Sequence, residues 1–586
     1  MSVLLLPYPK KLTLTDGVFN TRNCSITLEK GIDRRIIKKA AAFKTELDAL
    51  DSTEHCFLPE SETIGQIHIG IDNSLTHEEY TLKTDNSSLI ILGGDAAGCF
   101  YGLQTLNQLV SLNGNKIPTL FIEDKPDSSY RGFYHDATRG RIPTVFGLKK
   151  IIDRLASLKI NSFQLYIEHS FDFKEFESLN RTASDYLTAA ELMEIDDYCY
   201  ENFIDFVPSL STFGHLYELL SLEKYRHLCE LENFKPEKHF WYERMMHHTI
   251  DPEDPESFSV VCSLIDQYLP LFRSEYFNIC CDETFDLGKG KNAGKDAGVL
   301  YCEFVNKLIK YVNKKGKKVM MWGDIALHHR NSLNSIPKDT LFLNWDYCAN
   351  PLKERVDIVK ESGFDQIVCP GTSSWARFIE DPKISVPNIT KLFHFGKEAG
   401  ALGLLNTNWG DYGHPAHFEC CLFGLSVGAC VCYNNETKID ENFELAVSRL
   451  IFKTDENIMP IIYSLSAAQN TALWQNWFNY LNSGSVADFK SNASDIEASV
   501  KSCESVINTL NSLKGDNDIL DRITNAAKGI LLLNKAALKQ FGKNSDVSLL
   551  KDAETFLENY RSHWLSDCKQ SELNEIEKFV LKIAEY

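Results

Sequence analysis

The chain has 586 residues and is 44% hydrophobic, 24% charged and 11% aromatic, a makeup too apolar for a disordered polymer and too long for one small module. Its net charge of −20 repels phosphate backbones and anionic membrane surfaces, so nucleic acid is excluded as an expected partner. MSVLLLPYPKK holds only a short apolar run, with its basic residues after it, and no apolar stretch is long enough to span a bilayer, so the sequence predicts a soluble protein with no membrane partner and no secretory signal. Its 17 scattered cysteines lack the CxxC repeats of a zinc site and read as buried, reduced thiols, which predicts a cytoplasmic location.

Residues 1–125 read as a small α+β domain. Short strand-like runs (LTLTDGVFNT, SITLEKG, QIHIGI, EEYTLKT, LIILGG) surround a helical run from Asp33 to Leu50. A closing helix follows Gly94, with Phe100, Leu103, Leu106, Leu109 and Val110 on one face, and EDKPDSSYRG reads as a linker.

From 126 to 442 apolar strands alternate with amphipathic helices, the signature of a parallel sheet. The candidate strands are 131–137, 162–168, 204–210, 276–283, 318–325, 340–347, 366–372 and 403–410. Eight such units close a (β/α)8 barrel. The connection after Asp324 is short and poorly helical, and the stretch from His215 to Ile250 is expected to form a large loop on the rim. Residues 443–586 show only long apolar-periodic segments and read as all-helical, with Trp474, Trp477 and Phe478 in its core. The predicted fold class is therefore α/β: a (β/α)8 TIM barrel catalytic domain with a small N-terminal α+β domain and an all-helical C-terminal domain. The helical domain is expected either to cap the pocket or to build a homodimer, and the sequence leaves both open.

Catalytic groups of such a barrel stand at the carboxyl ends of its strands and in the loops that follow. Here those ends carry Asp136 and Arg139, Glu168-His169, Gly214-His215, Asp282-Glu283, Trp322 and Asp324, Trp345 and Tyr347, and Trp409 and Asp411. Indoles beside carboxylates suit a sugar, whose C–H face packs on aromatic rings while its hydroxyls take charged partners. Neighbours in a regular strand point to opposite faces. Asp282 and Glu283 therefore enter one site only if the backbone turns out of the sheet after Cys281, a turn for which the downstream GKGKN is expected to supply glycine.

AAGCFYGLQTLNQL, YRGFYHDATRGRIP, VPSLSTFGH and NICCDET, in this order, resemble the β-N-acetylhexosaminidases of glycoside hydrolase family 20, over roughly residues 2–432. The resemblance implies an exo-acting, retaining enzyme that removes terminal β-linked GlcNAc or GalNAc from a glycan or glycoconjugate. It implies substrate assistance, in which the sugar's 2-acetamido oxygen is the nucleophile and an oxazolinium ion the intermediate. Glu283 is then the general acid and later the base, and Asp282 holds the acetamido N–H. Burial beside a second carboxylate supplies the raised pKa an acid needs near neutral pH, and an ionised neighbour is what the oxazolinium requires.

The resemblance further implies that Arg131, opening the first strand, grips hydroxyls far from the anomeric centre. Glu168, where the family usually has Asp, and His215 form a relay to the acid/base. Trp322, Trp345 and Trp409 are aromatic walls, and Asp411 binds a distal hydroxyl. Near the seventh strand, where the family has the tyrosine that bonds the acetamido oxygen, this chain has PGTSSW. Tyr347 is the substitute candidate, and Trp375 fills part of the wall.

No cofactor or metal is implied. His247-His248 and His328-His329 lack the HxH or HExxH spacing of a metal site, and GKGKNAGKDAG lacks the spacing of a phosphate loop. Three alternatives stay open: a narrower family member (β-N-acetylgalactosaminidase, lacto-N-biosidase or sulfated-GlcNAc hydrolase), a two-carboxylate retaining glycosidase with Asp324 or Asp411 as nucleophile, and a non-catalytic sugar-binding protein.

Overall fold

The computed structural model describes residues 3–179, 181–232, 234–235, 239–246, 248–513, 515–543 and 548–586. The N-terminal region is a seven-stranded sheet: β1 (Lys11–Asn20), β2 (Ser25–Glu29), β3 (Cys56–Ser61), β4 (Ile67–Ile71), β5 (Tyr80–Thr84), β6 (Leu89–Gly93) and β7 (Lys116–Asp124), in the order β1-β7-β5-β6-β4-β2-β3. β3 and β7 are not among the strand-like runs of the sequence. β3 is an edge strand with almost no buried side chain, so it lacks the apolar alternation that marks a strand, whereas β7 is central and pairs with both β1 and β5. The helix Ala96–Asn113 packs on this sheet and is buried along most of its length.

Eight parallel strands follow: β8 (Tyr130–Asp136), β9 (Ser162–Tyr166), β10 (Asp205–Pro208), β11 (Tyr276–Asn278), β12 (Lys318–Trp322), β13 (Leu341–Trp345), β14 (Gln366–Cys369) and β15 (Gly403–Asn408). Their order is β10-β9-β8-β15-β14-β13-β12-β11. A parallel bridge between Ser209 and Asn278, with the Leu210 N–H donating to the Asn278 oxygen at 3.0 Å, joins the two ends into a barrel. Every strand but β8 is shorter than its apolar run. The interior is filled by side chains including Tyr134, Tyr166, Val207, Met320, Leu343, Ile367 and Leu405. Five of the connecting helices begin at capping side chains: Thr144, Thr188 in a capping box with Glu191, Asp254, Asp296 and Asp381.

Arg131 opens β8 at the amino end of the barrel, and the structure corrects its expected role. Its guanidinium is fully buried and donates to Glu78 Oε1 and Oε2 (2.7 and 2.9 Å), the Tyr101 hydroxyl (2.7 Å), and the carbonyls of Ser128 and Lys159 (2.8 and 3.0 Å). All its donors are used in pinning the N-terminal sheet to the barrel floor. Arg131→Met leaves Glu78 buried without its cation, a loss of about 3–5 kcal/mol. The expected result is a lower urea midpoint with substrate KM unchanged in the folded protein.

The C-terminal region is helical from Glu441–Leu450 to Leu573–Glu585. The run IMPIIYSLSAAQNTALWQNWFNYL divides into the helices Met459–Gln469 and Trp474–Ser483, and Trp474, Trp477 and Phe478 are buried in the core. Among the described residues no helix is long and apolar enough to cross a membrane.

Candidate active site

β11 is the shortest barrel strand because the chain leaves the sheet almost at once: Cys280, Cys281 and Glu283 take φ of 56°, 64° and 49°. Non-glycine residues in this region cost about 1–3 kcal/mol each and persist only where the surroundings over-determine them. The turn brings both Asp282 and Glu283 into one cavity. It does not use the downstream glycines, since the N–H groups of Gly288 and Gly290 donate to Glu230 Oε1 (3.1 and 3.3 Å) in a separate loop. A glycine is needed instead at Gly214, where a Cβ would stand 2.5 Å from the Asp282 carbonyl oxygen.

His215 lies behind the pair, its Nε2 3.4 Å from Asp282 Oδ2 and 3.2 Å from Glu283 Oε2. Burial opposes a charged ring, but the Asp282 charge and bonding to both carboxylates outweigh it and push the imidazole up to about 10. These three residues are a group whose potential ligand atoms lie within 4.8 Å of one another. The raised imidazole sits between the two carboxyl groups as their common hydrogen-bonding partner. His247, of the adjacent histidines considered above, lies outside the described residues.

Glu168 is buried within electrostatic reach of His215. Burial alone raises a carboxyl, but the neighbouring His169 ring and the charges of Arg139 and His215 pull Glu168 down to about 2. It accepts from the Tyr166 hydroxyl at 2.7 Å and lies 3.6 Å from Arg139 Nε. Glu168 is thus a fixed negative charge in the same network as His215.

The arginine of the cavity is Arg139. Its Nη1 donates to Asp411 Oδ1 at 2.8 Å, its Nη2 is 3.4 Å from His215 Nδ1, and its guanidinium stands over Tyr166 and Trp409 (4.9 and 5.2 Å to the ring centres). Asp136 sets this geometry. One oxygen accepts the N–H groups of Thr138 and Arg139 (2.9 and 3.0 Å) and the other that of Gly410 (3.0 Å), tying the loop after β8 to the loop after β15. Burial is the main influence on Asp136 and holds it up at about 6, against the Arg139 charge and these three bonds.

The walls are aromatic. Trp345 stacks on Tyr347 (5.0 Å, 18°), Tyr347 meets Trp375 edge-on (5.1 Å, 64°), and the Trp409 indole N–H donates to the Tyr347 hydroxyl at 2.8 Å. Trp322 does not reach the surface of the cavity. It is fully buried and packs against Tyr134 and Trp409 (5.1 and 5.9 Å), so it supports the wall from beneath.

Asp324 follows Trp322 and lies under the acid pair, where its Oδ2 accepts the Glu283 N–H at 3.0 Å. Burial and the Asp282 charge raise its carboxyl to about 7, with the Glu283 charge adding and the bonds from Glu283 N–H and Trp345 opposing. A carboxyl raised in the fold gives stability that is fully present below its ordinary value near 4 and is lost as pH rises through 7. Asp324→Asn removes this dependence. The urea midpoint of the variant is expected to gain on that of the wild type between pH 4 and 7, and a constant offset would contradict the assignment.

The cavity, about 430 Å³, is lined by Arg139, Met245, Asp282, Glu283, Trp345, Tyr347, Trp375, Ala376, Trp409, Asp411, Tyr412 and Gln475. Its size is that of a small-molecule site. A cavity of similar size between the helices Ala493–Leu513 and Asp518–Gln540 is lined by Lys501, Lys535, Lys539 and Lys543 with Glu497 and Glu504, and has no aromatic wall on which a sugar would stack. Sequence reasoning singled out neither Met245, Tyr412 nor Gln475 as site residues. They lie on the rim loop, the loop after β15 and a helix of the C-terminal region, and no local pattern signals that these converge.

A barrel whose strand ends gather adjacent carboxylates and an arginine–carboxylate pair inside aromatic walls is the architecture of a glycoside hydrolase. The family model for "Glycosyl hydrolase family 20, catalytic domain" matches residues 129–386, and that for "Glycosyl hydrolase family 20, domain 2" matches residues 3–125. The chain belongs to glycosyl hydrolase family 20. It is 28% identical over 358 residues to a β-hexosaminidase of Porphyromonas gingivalis, covering 55% of this chain and 45% of that one. It is 22% identical over 370 residues to a lacto-N-biosidase of Bifidobacterium bifidum, covering 60% of this chain and 31% of that one. The chain thus spans less than half the length of these curated relatives. Its fold is similar to that of Flavobacterium johnsoniae chitobiase (TM-score 0.63, 19% identity, 98% of this chain and 99% of that one). It is also similar to an exo β-N-acetylglucosaminidase of Vibrio harveyi (TM-score 0.61, 18% identity, 78% and 76%).

Proposed function

We propose that the protein is an exo-acting, retaining β-N-acetylhexosaminidase that hydrolyses terminal β-linked GlcNAc or GalNAc by substrate assistance. The observation that carries this reading is that Asp282 and Glu283 converge on one imidazole edge, at 3.4 and 3.2 Å from His215 Nε2. A two-carboxylate retaining enzyme needs its carboxyl groups to flank the scissile bond from opposite sides. The other candidate nucleophiles are occupied: Asp324 lies beneath the pair on the Glu283 N–H, and Asp411 is paired with Arg139. The acetamido group of the substrate supplies the missing nucleophile.

In this mechanism Glu283 gives its proton to the glycosidic oxygen as the C1–O bond breaks and the acetamido oxygen bonds to C1. Asp282 accepts the acetamido N–H and stabilises the charge of the oxazolinium. Glu283 then takes a proton from water as that water attacks C1 and the C1–oxazoline bond breaks, which restores the starting configuration. His215, 3.4 and 3.2 Å from Asp282 and Glu283, orients both carboxyl groups, with Glu168 adding a negative charge to the surrounding network. Tyr347 donates to the acetamido oxygen, Trp345, Trp375 and Trp409 pack on the sugar, and Arg139 with Asp411 takes hydroxyls remote from C1. The many buried free thiols support a reducing, cytoplasmic setting.

The test is nitrophenol release from the β-N-acetylglucosaminide, the β-N-acetylgalactosaminide and the plain β-glucoside. Turnover of an acetamido sugar without turnover of the glucoside is expected, and efficient glucoside hydrolysis would return the mechanism to two carboxylates.

A further inference from the structure

The cavity is not built by the barrel alone. Asp411, Tyr412 and Gly413 form the loop after β15, and the helix Trp474–Ser483 of the C-terminal region holds that loop at three points. The Trp474 indole N–H donates to the Tyr412 carbonyl at 2.9 Å, the Gln475 amide N–H to the Tyr412 hydroxyl at 3.3 Å, and Phe478 packs on the Tyr412 ring at 5.2 Å. Tyr412 itself sits at φ 58°, and Gly413, at φ 91°, lies so close to Trp241 that a Cβ would stand 2.6 Å from the indole. The loop is therefore clamped from both sides in a conformation it would not choose alone.

Trp474 and Phe478, a turn apart on one helical face, are buried in this contact, which leaves Gln475, one residue round, exposed and lining the cavity with Asp411 and Arg139. A carboxamide offers both a donor and an acceptor, the complement of a sugar hydroxyl. The family match to the catalytic domain ends at residue 386, so the loop and the helix that hold this wall lie beyond the matched region.

We propose that Gln475 is a specificity-determining residue of the sugar site, reading with Asp411 a hydroxyl remote from the anomeric carbon and thereby setting the preference between the gluco and galacto epimers. The inference rests on the hydrolase reading above. A site that hydrogen-bonds a hydroxyl in one orientation discriminates against the epimer that leaves the site's polar groups unpaired. The C-terminal region is on this account part of the substrate site.

The experiment measures kcat and KM of wild type, Gln475→Ala and Gln475→Glu on the two p-nitrophenyl N-acetylhexosaminides, with GlcNAc and GalNAc binding by calorimetry and a thermal melt as control. Loss of one such bond is expected to raise KM for the preferred epimer about fivefold to tenfold. It should raise KM more than it lowers kcat, and shift the ratio of kcat/KM between epimers with no change in melting temperature. Unchanged KM for both epimers and unchanged monosaccharide binding in both variants would overturn the inference. If the wild type binds GlcNAc without turnover, the hydrolase reading falls and the variants' weakened binding decides on Gln475. If it neither turns over nor binds, both fall.

Discussion

Glu283→Gln is expected to lower kcat by about 10²–10⁴-fold, the usual worth of a positioned acid/base, with KM unchanged or lower because the amide keeps the shape of the site. The loss should be larger on an N-acetylglucosaminyl disaccharide than on the nitrophenyl glycoside, since nitrophenolate leaves with less help from a proton. A variant that keeps more than a tenth of the activity on the disaccharide would remove Glu283 from proton transfer. The contrast between leaving groups matters, because a merely structural defect lowers both rates alike.

Asp282→Asn is expected to lower kcat by about 10²–10³-fold, the scale on which losing one preorganised electrostatic partner of a charged transition state is felt. It also takes away the carboxylate that does most to hold His215 charged. The His215 ring, pushed up to about 10 in the wild type, should titrate at lower pH in the variant by histidine NMR. The sign follows from linkage: a raised histidine gives stability that is full below its ordinary value near 6.5 and is lost as pH rises through the folded value. Asp282→Asn should move that loss to lower pH. An unmoved His215 titration together with full activity would place the charge that acts on the ring elsewhere.

The barrel was legible because eight apolar runs alternate with helical ones, and that period is local. What each strand delivers to the site was legible only where one residue's position along its strand decides the matter. Asp282, Glu283, Trp345, Tyr347, Trp375, Trp409 and Asp411 all line the cavity. Arg131 does not. β8 rises about 20 Å over its length, so the residue that opens it and the residues that follow it stand at opposite ends of the barrel. The same rule that places catalytic groups at carboxyl ends points to Arg139. The turn at Cys280 and Cys281 carried no glycine to announce it, because its strain is held by tertiary packing. Gln475 is more than sixty residues beyond Asp411 and reaches the cavity through contacts that no periodicity encodes. Asp324, in contrast, was visible as a strand-end acid, and only burial against the Glu283 N–H separates a support from a nucleophile.

The central claim is that the substrate's own acetamido oxygen attacks the anomeric carbon, and its most direct test varies that oxygen alone. Rates are measured on p-nitrophenyl β-glucosaminides whose N-acyl group is acetyl, monofluoroacetyl, difluoroacetyl and trifluoroacetyl. Each fluorine withdraws electron density from the amide oxygen while leaving the ring, the leaving group and the contacts of Glu283 in place. The account predicts that kcat falls stepwise along the series. A rate that does not respond to the fluorines would contradict it and give the nucleophile back to the protein.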